Sequence, residues 1–203
     1  MPDFLRMGIV LMVVGVVATA ILSGTESVTR APIAEAKRQE TLRMLKTVLP
    51  EGYDNAPVDD TVLFSDKRLH RKEKPVTFYR GRKGGAPLGV AFVVTAPDGY
   101  SGNIDIMMSV TPAGVINLVK VVAHLETPGL GDKIVKPEWL NAFRGKDRDN
   151  AKWRVKKDGG EFDQFSGATI SPRAVVEAVK RGLDFFVEKK DVMFQPAAAE
   201  KKS

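Results

Sequence analysis

Asp158-Gly159-Gly160-Glu161-Phe162-Asp163-Gln164-Phe165-Ser166-Gly167-Ala168-Thr169-Ile170-Ser171 runs from a glycine turn into the mouth of a helix. Its last part sets the hydroxyls of Ser166 and Thr169 on a tight turn of small residues. Ser171 reads as the N-cap and Pro172 as the first helical position. Beyond them Val175, Val176, Val179, Leu183, Phe186 and Val187 recur at helical spacing. A helix mouth presents unpaired N–H groups and the positive end of the macrodipole, which together suit a phosphate. Gly167 and Ala168 keep the turn bare, so a bulky phosphorylated ligand can come close to the backbone. Ser-Gly-Ala-Thr taken alone also fits an ordinary capped surface helix.

Upstream, His124-Leu125-Glu126-Thr127-Pro128-Gly129-Leu130-Gly131-Asp132-Lys133 forms a second loop. Pro128 restrains the turn, while Gly129 and Gly131 allow backbone conformations that other residues resist. Leu130 then stands out as an apolar surface for a flat ring, and Glu126 either braces the loop or hydrogen-bonds a ligand. A third small-residue turn is Gly99-Tyr100-Ser101-Gly102.

The intervening chain, 61 to 125, reads as strands. Val76–Arg80 and Leu88–Ala96 flank Gly81-Arg82-Lys83-Gly84-Gly85, a hairpin signature. Ile104, Ile106, Met108 and Val110 alternate with Asp105, Met107 and Ser109, as in a half-buried strand. With Val115–Leu125 these segments predict an antiparallel meander rather than a doubly wound sheet. A helical piece is expected near Pro137–Phe143 and a strand over Lys152–Lys157.

At the other end, Met7 to Leu22 carries no charge. It is long enough to span a membrane if Phe4 and Leu5 join it and Arg6 snorkels to the headgroups. Ala18-Thr19-Ala20 alternatively offers a signal-peptidase site, and both readings export the remainder. Arg6 precedes the span whereas Arg30, Lys37 and Arg38 follow it, so the basic-residue count leans against export. Ile33 to Leu49 reads as a further helix with Ile33, Leu42, Leu45, Val48 and Leu49 as its apolar stripe, stopped by Pro50.

Composition narrows the chemistry. The chain has no cysteine, which removes disulfides, thiolate metal sites and cysteine-ligated clusters. No G-x-G-x-x-G or Walker A sequence is present. His70 and His124 stand apart and give no metal-ligand set, and Ser166 has no neighbouring base to make it a nucleophile. The net charge of +6 comes from scattered groups such as Lys67-Arg68, Arg80-Gly81-Arg82-Lys83 and Lys156-Lys157, read as solvated loops and strand edges. No nucleic-acid module accompanies them.

The stretch ending in Ser166-Gly167-Ala168-Thr169 resembles the flavinylation motif of the FMN-binding domain in RnfG, a component of the Rnf electron-transport complex. A relative is NqrC, a component of the sodium-pumping NADH:quinone reductase. The Glu126–Gly131 loop, Gly99–Gly102, Trp139 with Phe143, and the order "leucine helix, Leu49-Pro50, Tyr53-Asp54-Asn55" are similar to the RnfG family as well.

The resemblance implies an α+β fold: an N-terminal transmembrane helix followed by one soluble FMN-binding domain with an antiparallel sheet and flanking helices. The expected divisions are an anchor at 1–24, a linker helix and turn at 25–60, the FMN-binding domain at 61–190 and a disordered tail at 191–203. It further implies FMN joined covalently to Thr169 and contacted by Ser166, Gly167, Ala168, Glu126, Thr127, Gly129 and Leu130. No catalytic or metal-binding residue is expected. Asp163 would serve the flavin transferase, or its metal, during attachment. Expected partners are other membrane subunits of an Rnf-type complex, that transferase and membrane lipid, with the soluble domain on the periplasmic face of a bacterial inner membrane. The implied role is electron relay in a ferredoxin:NAD oxidoreductase that moves ions. The FMN-carrying component of the quinone reductase, or an anchored binding module without cofactor, stands as the alternative.

Overall fold

A computed structural model of the chain describes residues 2–195. The chain divides into two compact units after Arg43.

The first unit is helical, and the last residues of its helix, from Met44 on, belong to the second unit. A single helix, α1, runs Asp3–Val48 with Pro32 inside it, so the expected anchor and linker helix are continuous. By length and composition it qualifies to cross a membrane. Its apolar side chains from Phe4 to Leu22 stand exposed, Leu11 at 79% and Leu22 at 77%. The hydroxyls of Thr19 and Thr25 donate to the carbonyls of Gly15 and Ile21, both at 2.8 Å. These polar groups are therefore satisfied within the helix, as a lipid environment requires.

The second unit is built on a five-stranded sheet of order β1-β2-β3-β4-β5, antiparallel throughout: β1 Thr61–Phe64, β2 Val76–Lys83, β3 Ala86–Ala96, β4 Ile104–Val110 and β5 Ile116–Ala123. This is the meander expected from the alternation. The β2–β3 loop is tighter than the Gly81–Gly85 turn read from sequence, because Lys83 already pairs with Ala86. Only Gly84 and Gly85 lie outside, both at positive φ, as a two-residue hairpin demands.

Gly81 and Gly89 face each other across that hairpin and have another purpose. A β-carbon on Gly89 would lie 2.9 Å from Pro50 Cδ, and one on Gly81 would lie 3.5 Å from Leu49. The pair clears a bare patch on which Leu49-Pro50 rests. Leu45, Val48 and Leu49 pack there with Ala91 and Met107. This explains why β4 is not half-buried as predicted: Met107 is 3% exposed and Ser109 fully buried. Ser109 Oγ and Asn117 Nδ2, the latter at 2.8 Å, donate to the carbonyl of Val48 and close the end of α1.

The opposite face of the sheet is covered by α3, Ile170–Met193. Val175, Val176, Val179, Leu183 and Phe186, all read from the sequence as one stripe, are fully buried. Gly182 lets the helix come close, since a β-carbon there would meet Met108 Sδ at 2.8 Å. Phe78 stacks on Phe92 with centroids 4.3 Å apart, beneath Phe64 and Phe185.

Short pieces complete the unit: a 3-10 turn over Gly131–Val135, α2 at Pro137–Leu140 and a second turn at Asn141–Phe143. The strand expected over Lys152–Lys157 does not form. Lys156–Asp158 is a 3-10 turn, and only Val155 bridges to Phe162, because Gly159 reverses the chain at once.

Two further expectations change. Of the stretch 191–203 expected as a tail, α3 takes in residues up to the buried Met193 and Phe194 packs edge-on to Phe186; residues 196–203 lie outside the described residues. Arg80 is no solvated edge. It is 1% exposed, paired with Asp60, and donates to the carbonyl of Gln195 at 2.6 Å. Arg80, with Arg82 donating to the carbonyl of Phe194 at 3.4 Å, thus closes the C-terminal end of α3.

Candidate functional site

Three connections meet around one cavity: the β3–β4 turn, the loop after β5, and the loop that feeds α3. The cavity measures about 360 Å³ and is lined by Tyr100, Glu126, Thr127, Leu130, Gly131 and the stretch Gly167–Ser171. That volume lies in the range of small-molecule sites.

The loop feeding α3 is held from beneath by aromatic rings. Trp139 Nε1 donates to the carbonyl of Asp163 at 2.7 Å, and the Trp139 ring lies against Phe165 and Phe143. Phe162 stacks on Phe143, centroids 4.5 Å apart, and on Trp153. The chain then turns at Phe165–Ala168, where the Ala168 N–H donates to the Phe165 carbonyl at 3.0 Å. Gly167 has φ +78, a backbone conformation that disfavours side chains at this third turn position. The outcome is a bare, exposed corner beside the cavity.

Thr169, not Ser171, occupies the N-cap position, so the helix starts earlier than the sequence suggested. Thr169 has φ −80 and ψ −26 and makes no side-chain cap hydrogen bond. A capping threonine normally adopts extended dihedrals that bring its oxygen onto the N–H of the second or third helical residue. Here the backbone is already helical, and the third residue is Pro172, which has no N–H to offer. The Thr169 hydroxyl is left at the cavity wall. The N–H groups of Ile170 and Ser171 begin the first turn and have no partner within the helix. Among the described residues that line the cavity there is no lysine or arginine, so the helix end supplies its positive pole.

The loop after β5 supplies the facing wall. Gly129 has φ +78, the conformation anticipated from the sequence. Gly131 has no positive φ; it is required for space, since a β-carbon there would stand 2.5 Å from Glu126 Oε2. Leu130 is 46% exposed, and its Cδ2 would lie 3.9 Å from a β-carbon on Gly167, so the two walls approach across a side chain that Gly167 lacks. Tyr100, 70% exposed, stands at the rim.

Of the residues singled out from sequence, Gly167, Ala168, Thr169, Glu126, Thr127 and Leu130 therefore share one cavity. Ser166 and Gly129 shape the two turns from outside its lining. Asp163 keeps its side chain exposed and paired with Lys156 at 2.6 Å. Sequence reasoning does not assign Tyr100, Gly131, Ile170 or Ser171 to the site. The Gly99–Gly102 turn is visible in the sequence, but nothing local tells which loop it faces. Beside the site, Arg173 binds Asp158 through two hydrogen bonds of 2.7 and 3.0 Å, and these hold the Asp158 carboxyl below its ordinary range. That arginine is thereby engaged outside the cavity lining.

Comparison with known proteins identifies the family. Residues 99–184 match the FMN-binding domain family, and residues 3–48 match the RnfG N-terminal region. A Pseudomonas aeruginosa (strain UCBPP-PA14) protein, named as the G subunit of an ion-translocating oxidoreductase complex, is 42% identical over 203 residues, covering 97% of this chain and 95% of its own. The protein of the same name from Aliivibrio fischeri (strain ATCC 700601 / ES114) is 41% identical, covering 89% of each chain. The crystal structure of Shewanella oneidensis NqrC superposes with a TM-score of 0.50 at 23% identity, over 66% of this chain and 68% of that one, a likeness of fold. With the N-terminal region and the FMN-binding domain both matched and full-length relatives near 40% identity, this chain belongs to the RnfG family, the G subunits of ion-translocating oxidoreductase complexes.

Proposed function

We propose that the chain is a single-pass electron-carrier subunit that holds FMN as a phosphoester on Thr169. The observation that carries this reading is the Thr169 hydroxyl, placed at a helix mouth, lining the cavity and excused from capping. The residues present fit the group. The first-turn N–H groups would be available to a phosphate on Thr169, the bare Gly167 corner would admit its bulk, and Leu130 with Tyr100 would offer apolar surface to a flat ring. Bound there, the isoalloxazine supplies reversible one- and two-electron transfer.

The chain's own part is to hold and orient. The α3 dipole favours the phosphodiester charge by only ~0.3–1 kcal/mol, so retention rests on the covalent bond. Helix α1 keeps the domain at the membrane, in contact with lipid. A flavin transferase makes the ester, with Asp163 exposed nearby as a contact for that enzyme. The relatives are named as subunits of an ion-translocating oxidoreductase complex, and we extend that setting to this chain: other membrane subunits as partners, electrons passing between ferredoxin and NAD, and the FMN-binding domain on the periplasmic side. Among the described residues a single helix qualifies as a span, and it has no charge between Met7 and Leu22. Ion movement therefore belongs to the partners.

The test is expression of the full chain with a flavin transferase, followed by in-gel flavin fluorescence after denaturation. Wild type is expected to fluoresce and Thr169→Ala to be dark. A Thr169→Ala chain as bright as wild type would overturn the assignment.

A further inference from the structure

Three connections far apart in the chain meet on one buried carboxylate. Glu126 is 4% exposed. Its Oε1 accepts from the Ser101 N–H at 3.2 Å, and its Oε2 accepts from Ser171 Oγ at 2.5 Å, within the first turn of α3. Its own N–H donates to His124 Nδ1 at 3.1 Å, which fixes the loop just before it.

Two glycines make room for this group. A β-carbon on Gly99 would overlap the Gly102 carbonyl oxygen and come 2.7 Å from Oε1, and one on Gly131 would come 2.5 Å from Oε2 and 2.9 Å from Ser171 Oγ. Neither glycine has a positive φ, so space and not backbone freedom explains both. Ser171 is fully buried, and among the described residues no other member of the cavity lining carries a charge. A glutamate this enclosed, with a donor on each oxygen, is not a solvated loop residue.

We infer that Glu126 is a positioning residue. Its carboxylate is a two-armed latch that ties the Tyr100 turn and the helix mouth to the 126–131 loop and so preforms the cavity. The occupant of that cavity rests on the flavin reading; the latch does not. A glutamine keeps both arms, its carbonyl accepting from the Ser101 N–H and its amide donating to a rotated Ser171 hydroxyl. An alanine removes both, frees the Ser101 N–H to water and leaves the buried Ser171 hydroxyl without its acceptor.

The experiment uses the full chain in detergent micelles, prepared with and without a flavin transferase. Without the transferase, hydrogen exchange is followed in peptides spanning 97–104 and 168–174. Glu126→Ala is expected to speed exchange of the Ser101 amide by at least about tenfold, because a bond to a charged acceptor is worth a decade or more in an opening equilibrium. Glu126→Gln should stay close to wild type. With the transferase, iodide should quench flavin on the Glu126→Ala chain more strongly than on wild type or Glu126→Gln. Exchange in Glu126→Ala equal to wild type overturns the latch. Equal damage from Gln and Ala also overturns it, since that outcome assigns the effect to charge alone. If Glu126→Ala does not fold, Ser171→Ala cuts one arm. It should deprotect 168–174 while sparing Ser101, and unchanged protection of 168–174 overturns the proposal. Flavin missing from the wild type would sink the Thr169 assignment and leave the exchange comparison standing.

Discussion

Gly131→Ala asks the fold to place one methyl group where a carboxylate already sits. The new β-carbon would lie 2.5 Å from Glu126 Oε2, 2.9 Å from Ser171 Oγ and 3.2 Å from Glu126 Cβ. The carboxylate cannot simply swing aside, because Oε1 is held by the Ser101 N–H and the residue is 4% exposed. Relieving the overlap breaks the bond from Ser171, and a hydrogen bond to a charged group contributes about 1.5–3 kcal/mol. Overpacking a tight site costs about 1–3 kcal/mol. One movement relieves the clash and loses the bond, so we expect ~3 kcal/mol in total rather than the sum of the upper values. For a unit of this size that lowers the melting temperature by roughly 6–12 °C. Thermal unfolding followed by the fluorescence of Trp139 and Trp153 reads it directly. Gly129→Ala is the control. Nothing lies within 4 Å of its β-carbon, but its φ of +78 strains alanine by about 1–2 kcal/mol, so it should melt higher than Gly131→Ala. If Gly131→Ala melts within about 2 °C of wild type, the packing argument around Glu126 is wrong.

Other perturbations reach the parts that support the site. Trp139→Phe removes the donor to the Asp163 carbonyl at 2.7 Å and should destabilise the fold by about 1–2 kcal/mol while slowing flavin attachment in a timed gel assay; unchanged stability and rate would show that the loop does not need this tether. Gly160→Ala drives a β-carbon into the Arg154 carbonyl and should disrupt the bond of 3.2 Å from the Phe162 N–H to that carbonyl, costing more than about 4 kcal/mol; a soluble variant with near-normal melting would refute this. Arg68 holds the Asp66 and Glu188 carboxyls below their ordinary ranges, by hydrogen bonds in the first place. Depressed folded-state values mean that this stabilisation is complete above the unfolded carboxylate range near pH 4 and fades as pH falls through the lower folded values. Arg68→Gln should therefore melt below wild type at pH 7, and the gap should narrow below about pH 4; parallel melting curves across that window would contradict it.

Much of the fold was legible because its signals are local. The alternation of Ile104, Ile106, Met108 and Val110 and the helical spacing from Val175 to Phe186 each declare a buried face without reference to anything distant. The same locality misled at Ser171, whose position before Pro172 looks like a cap, although the residue is claimed by a carboxylate 45 positions upstream. Arg80 is another case, since the Asp60 that pairs with it and the Gln195 carbonyl it binds are invisible from the run Arg80–Lys83.

From sequence alone came the charge-free helix, the meander and the two glycine-containing loops with the threonine that ends one of them. Those features depend on the residue's own conformational limits and on the period of its near neighbours. Tertiary structure alone decided that the two loops and the Gly99–Gly102 turn enclose one cavity, that Gly131 is needed for room and not for its backbone, and that Thr169 keeps its hydroxyl free. The reason is physical: which groups share a small buried volume depends on how α3 and the sheet pack, and that packing sums many long-range contacts that no single stretch of chain contains.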